Sequence, residues 1–161
     1  MKKLRVVVPC VLGLVLCACV TAYQPSGFTG GYSDRKASED VWTIHYGGNG
    51  YTTAETVQTF WLYHAAELTL SNGYDGFEIL GPMGMAPGRA TTELPVDIGL
   101  VGKPQITLNI KLLKKPFVAR PPRIFDAAVL KAKLEPLVKG ELCEGNVCPH
   151  VHTYLMPDLA G

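Results

Sequence analysis

Residues 41–80 read VWTIHYGGNG YTTAETVQTF WLYHAAELTL SNGYDGFEIL, and the fold turns on this stretch. Val41-Trp42-Thr43-Ile44-His45-Tyr46 alternates, placing Trp42, Ile44 and Tyr46 on one face with the period of a half-buried strand. Gly47-Gly48-Asn49-Gly50 breaks that strand, and Thr52 with Glu55 forms a Thr-x-x-Glu capping box that opens a helix. Val57, Trp61, Ala65 and Leu68, with Phe60 beside them, recur at helical spacing and predict a buried stripe running to about Ser71. Asn72-Gly73 is a left-handed stop, after which Tyr74 to Leu80 returns as a second short strand. A strand, a helix and a strand in succession predict either a crossover between parallel strands or an α+β unit.

Beyond Leu80, residues 81–104 carry Pro82, Pro87, Pro95 and Pro104 among five glycines, which predicts a long loop. Ile106, Leu108, Ile110 and Leu112 then alternate with Gln105, Thr107, Asn109 and Lys111, the cleanest period-two signal in the chain. Pro116, Pro121 and Pro122 punctuate a linker, and Asp126 to Val138 reads as an amphipathic helix with Ala127, Leu130, Leu134 and Leu137 on one side. Upstream, residues 21–40 are rich in Gly and Ser, with Tyr23, Phe28 and Tyr32 as isolated apolar positions, and read as a flexible tether. The expected fold is therefore α+β, in the order β-α-β-loop-β-α. A small sheet of about three to four strands packs against one long helix and a second, shorter one. Residues 41–161 are expected to form this single domain, ending in a cysteine-bearing tail from Lys139.

The chain has 161 residues, 47% hydrophobic and 18% charged, which excludes wholesale disorder. Its formal net charge of +1 excludes a nucleic-acid binder that relies on a broad basic surface. Met1-Lys2-Lys3-Leu4-Arg5 is a basic start, and Val6 to Val20 an apolar run of 15 residues interrupted by Pro9 and Gly13. That is the pattern of a signal peptide, and it falls short of the roughly 20 apolar residues a spanning helix needs.

Within the run, Leu16-Cys17-Ala18-Cys19 resembles the bacterial lipobox, with a branched apolar residue at −3 and a small residue at −1. Cys17 follows Leu16 and Cys10 follows Pro9, so Cys19 is the expected lipidation site and residues 1–18 the expected leader. A diacylglyceryl thioether with an N-acyl group anchors firmly, whereas a single chain anchors marginally. Residue 20 is Val rather than Asp, which under the enteric sorting rule implies the outer membrane, with the domain facing the periplasm. The membrane, reached through this lipid, is the expected partner, together with an unidentified envelope protein. No nucleic acid and no cofactor are expected.

Thr21-Ala22-Tyr23-Gln24-Pro25, Gly30-Gly31-Tyr32, Gly48-Asn49-Gly50-Tyr51-Thr52 and the segment from Ala65 to Phe77 resemble a family of small, functionally uncharacterised proteobacterial envelope lipoproteins. His64 and Gly76 stand where that family usually carries an Arg and an aromatic residue. The resemblance spans residues 19 to about 80 and implies an envelope location without implying a reaction.

Three features invite chemistry. Gly47-Gly48-Asn49-Gly50 precedes a helix N-terminus, where amides hold phosphates, but it lacks the P-loop lysine and the full Gly-x-Gly-x-x-Gly spacing, so it reads as a tight turn. Cys143 and Cys148 form an even pair once Cys10, Cys17 and Cys19 are assigned, and an oxidising compartment favours a disulfide between them. The alternative is a metal-binding or stress-sensing protein in which Cys143, Cys148, His150 and His152 ligate zinc. His64 and Glu67, three apart on the helix, read as a surface pair or as a base and its orienter. No Gly-x-Ser-x-Gly, His-Glu-x-x-His or paired-carboxylate motif occurs, and the sequence reads as that of a structural or interaction module rather than an enzyme.

Overall fold

The computed structural model describes residues 22–81, 85–86, 89–90, 96–98 and 102–141. Cys19, Cys143, Cys148, His150 and His152 lie outside the described residues. The elements are β1 (Gly31–Lys36), β2 (Val41–Gly47), α1 (Ala54–Ser71), β3 (Gly76–Leu80), β4 (Met85–Ala86), β5 (Arg89–Ala90), β6 (Gln105–Leu113), β7 (Ile124–Asp126) and α2 (Ala127–Val138). The fold is α+β, as the sequence predicts.

Five strands form an antiparallel sheet in the order β1-β2-β6-β3-β7, while β4 and β5 make a separate two-stranded ribbon within the expected loop. β2 and β3 both run antiparallel to β6 and so point the same way, with β6 between them. The β2-α1-β3 unit is therefore a crossover split by one strand, which combines the two arrangements the sequence left open.

The sheet exceeds the expected three to four strands for two reasons. β1, Ser-Asp-Arg-Lys after Gly31-Tyr32, has no apolar alternation because it is an edge strand whose residues 33–36 are exposed, and it falls in the stretch read as a tether. β7 spans three residues, too short for a periodic signal. The stretch expected as a flexible tether, residues 21–40, thus contains an ordered strand paired with β2 from Gly31↔Gly47 to Lys36↔Trp42.

Strand alternation sorts the sheet into one dry and one wet face, as antiparallel sheets permit. Ile44, Tyr46, Phe77, Ile79, Ile106, Leu108, Ile110, Leu112 and Phe125 are buried. On the wet face, Thr43 bonds Asn109 at 2.8 Å and His45 bonds Thr107 at 2.8 Å, cross-strand pairs on the register of β2 and β6. α1 lies over β2, β6 and β3 and packs along α2. Its expected stripe of Val57, Phe60, Trp61, Ala65 and Leu68 is buried, and Trp61 Nε1 donates to the Ile44 carbonyl at 3.1 Å. Gln58, Thr59, Leu62, Tyr63, His64, Ala66 and Thr69 are buried as well, because other elements cover the side away from the sheet. α2 buries the expected Ala127, Leu130, Leu134 and Leu137.

The helix ends follow local chemistry. The N-cap of α1 is Thr53, one residue after the expected Thr52, and its side chain accepts from the Thr56 amide. At the other end, Tyr74 N–H donates to Thr69 O and Gly73 N–H to Leu70 O, the paired bonds of a Schellman motif. The α2 N-cap is Asp126, which accepts from Val129 N–H at 3.1 Å.

Gly76 opens β3 beneath the ring of Phe117. A Cβ at this position would come within 2.2 Å of Phe117 Cζ and 2.5 Å of the Phe125 carbonyl oxygen. The Gly76→Ala substitution is expected to destabilise the domain by about 3 kcal/mol in urea unfolding, since the obstructing groups include backbone. Gly50→Ala, with nothing within 4 Å of the added methyl, is expected to stay within about 0.5 kcal/mol of wild type.

Candidate functional site

Tyr23 lies where the N-terminal segment crosses α1, and its ring enters a cage of aromatic side chains. It meets Tyr63 edge-on at 5.0 Å and Phe60 at 5.7 Å, and stands 5.0 Å from Tyr32. Two backbone bonds fix the segment to β1: Tyr32 N–H to Gln24 O at 2.9 Å, and Ser26 N–H to Tyr32 O at 2.7 Å. Gly31 permits this approach, for its φ is +129° and a Cβ would sit 2.5 Å from Gln24 O and 2.6 Å from Pro25 O. Tyr46, from the core face of β2, donates its hydroxyl to Ala22 O at 3.0 Å.

The Tyr23 hydroxyl enters a chain of polar groups that links the N-terminal segment, β1, α1 and α2. Asp34 Oδ1 lies 2.9 Å from His64 Nε2, and His64 Nδ1 lies 3.1 Å from the Tyr23 hydroxyl. Tyr23 also donates to Glu67 Oε2, and Lys131 of α2 closes the chain on Glu67 Oε1 at 3.1 Å. Tyr32 stacks on the His64 ring with centroids 3.9 Å apart.

Burial pulls the His64 pKa below its ordinary value of 6.5, against the opposing pull of the Asp34 and Glu67 carboxylates. Near pH 7 the ring is neutral, and Asp34 fixes its proton on Nε2, leaving Nδ1 as an acceptor for Tyr23. The single hydroxyl hydrogen of Tyr23 is then shared between His64 and Glu67. Burial and the Glu67 carboxylate both raise the Tyr23 pKa far above its ordinary range, so the phenol stays protonated. Both ring nitrogens of His64 are engaged and the phenol is not ionised. The arrangement is a clasp, with neither a free base nor an activated nucleophile.

His64 and Glu67 are therefore not the surface pair that the sequence suggests. His64 is 6% exposed, and the two residues meet through Tyr23. Sequence reasoning missed Tyr23, Tyr32, Asp34 and Lys131 as members of the cluster. The available signal was the pair of tyrosines standing alone in a Gly- and Ser-rich stretch. The Gly47–Gly50 loop leads into a turn in which Gly48 N–H bonds Pro104 O, Asn49 N–H bonds Thr52 Oγ1, and the following Tyr51 N–H bonds Asn49 Oδ1. None of these three is turned toward an anion. Among the described residues, no group of three or more His, Cys, Asp or Glu side chains could hold a metal ion.

A second concave feature lies at the other end of the sheet, where Ala119, Pro121, Phe125, Val129 and Leu130 line an apolar recess with Lys133 beside it. No protein-family model, curated protein or solved structure matches the chain.

The Tyr23→Phe substitution keeps the ring contacts and removes the shared hydroxyl, and is expected to cost about 1 to 2 kcal/mol in denaturant unfolding. Because the folded state holds the His64 pKa below 6.5, the unfolded chain binds this proton more readily. Stability is expected to be level above that value and to fall as the pH drops below it. His45, whose pKa burial also lowers, contributes a slope of the same sign. The His64→Gln variant is expected to show a shallower decline between about pH 6.5 and 5, read from unfolding midpoints at each pH.

Proposed function

We propose that the protein is a cell-envelope lipoprotein anchored through Cys19 in the outer membrane. It faces the periplasm and acts as a structural or interaction module without catalytic activity. The sequence supports this through the basic start, the apolar run and the Leu16-Cys17-Ala18-Cys19 match, and through the family resemblance.

The observation that carries the reading is the clasp on Tyr23. This residue stands four positions after Cys19 and is built into the aromatic and polar packing of the domain. An anchor followed by so short a link holds a domain close to its membrane, in contrast to the broad sampling a long Gly/Ser tether allows. A polar cluster whose members satisfy one another fits a mechanical role better than a catalytic one.

Intact mass of the membrane-extracted protein tests the reading. The expected mass is that of residues 19–161 plus acyl groups and less two hydrogens for a Cys143–Cys148 disulfide, with the acylated species lost in Cys19→Ala. A retained leader, or cleavage without lipid, contradicts the anchor. Two alkylatable thiols together with bound zinc would replace the disulfide with the Cys143, Cys148, His150 and His152 metal site.

A further inference from the structure

Three of the large hydrophobic side chains that the fold leaves in solvent share one end of the sheet. Phe28 is 106% exposed, Tyr51 73% and Ile98 54%. Phe28 sits in the tight turn that enters β1, Tyr51 in the loop that leaves β2, and Ile98 beside Asp97, which bridges to Gln105 at the start of β6. The register brings these points together, because Gly31 pairs with Gly47 and Gly47 pairs with Gln105. Single exposed apolar residues are ordinary, whereas several gathered at one end mark a contact surface.

The N-terminal segment identifies what the surface meets. Ala22 is held by Tyr46, the penultimate residue of β2 at this same end. Cys19 precedes Ala22 by three positions, a reach of no more than about 11 Å for a fully extended chain. A lipid on Cys19 would therefore keep this end of the domain next to the headgroups. Aromatic side chains favour that interfacial depth, and Lys103, exposed in the same approach to β6, suits anionic headgroups.

We infer that the Phe28–Tyr51–Ile98 end of the sheet is a bilayer-docking surface that orients the lipid-anchored domain. It inserts these side chains at the membrane interface and leaves the Phe125–Val129 recess, at the far end of β6, facing away from the membrane. The inference rests on the Cys19 anchor proposed above, and its test separates the two.

The full-length protein is purified from membranes as Phe28→Trp and, separately, Val129→Trp. Each variant is reconstituted into phosphatidylethanolamine–phosphatidylglycerol vesicles, with and without bromine atoms on the acyl chains, and the emission of wild-type Trp42 and Trp61 is subtracted. Flotation reports the anchor and bromine quenching reports docking. Both variants are expected to float, with the tryptophan at 28 quenched at least about twofold more than that at 129, as interfacial insertion requires. Flotation with equal quenching at the two positions overturns the docking surface and leaves the anchor standing. Flotation with a blue-shifted but unquenched tryptophan at 28 also overturns it, by showing that protein covers this end. Failure to float overturns the anchor, and the docking inference with it.

Discussion

One hydroxyl group, that of Tyr23, sits between His64 and Glu67, and the connection between the N-terminal segment and the domain depends on it. The Tyr23 ring fills space against Phe60 and Tyr63, while its oxygen meets Nδ1 of the buried His64 and the carboxylate of the partly exposed Glu67. Each of those partners is held from its other side, His64 by Asp34 and Glu67 by Lys131. Four segments of the chain, widely spaced in sequence, are thus joined through one side chain. Removing a middle member of such a network strands its neighbours, which is why these networks specify a single arrangement.

This constraint also explains the composition of α1. A helix on the dry face of an antiparallel sheet ordinarily buries one stripe, yet α1 is buried on most of its surface. The sheet covers Val57, Trp61, Ala65 and their neighbours, α2 packs alongside, and the N-terminal segment lies over Phe60, Tyr63 and His64. Several buried polar residues of α1 survive burial by finding a partner. Thr59 and Thr69 donate to carbonyls four residues back, and His64 bonds Asp34 and Tyr23.

Much of this arrangement was legible in the sequence. The alternation of β2 and β6, the apolar stripe of α1, its Asn72-Gly73 stop and the four buried positions of α2 all follow from period and capping. What stayed hidden depends on distant partners. β1 carries Asp34, Arg35 and Lys36, which read as solvated chain until β2 supplies a ladder to pair with. β7 is too short to show a period and exists because β3 templates it. In the candidate site, His64 and Glu67 were visible but their meaning was not, since the residue between them comes from a stretch rich in glycine and serine. Glycine there signals a close approach as readily as flexibility, and at Gly31 the approach is what the fold requires.

Residues 22–34 are built into the folded domain, and site-resolved amide hydrogen exchange can read this, because the Ser26 and Tyr32 amides bond across the segment, to Tyr32 O and Gln24 O. Under native conditions these two amides are expected to be protected well above the random-coil rate, and in Tyr23→Phe their protection is expected to fall while that of Ile110 in β6 falls far less. Exchange of Ser26 and Tyr32 at the random-coil rate in the wild-type protein would show that the segment is a tether and not part of the fold.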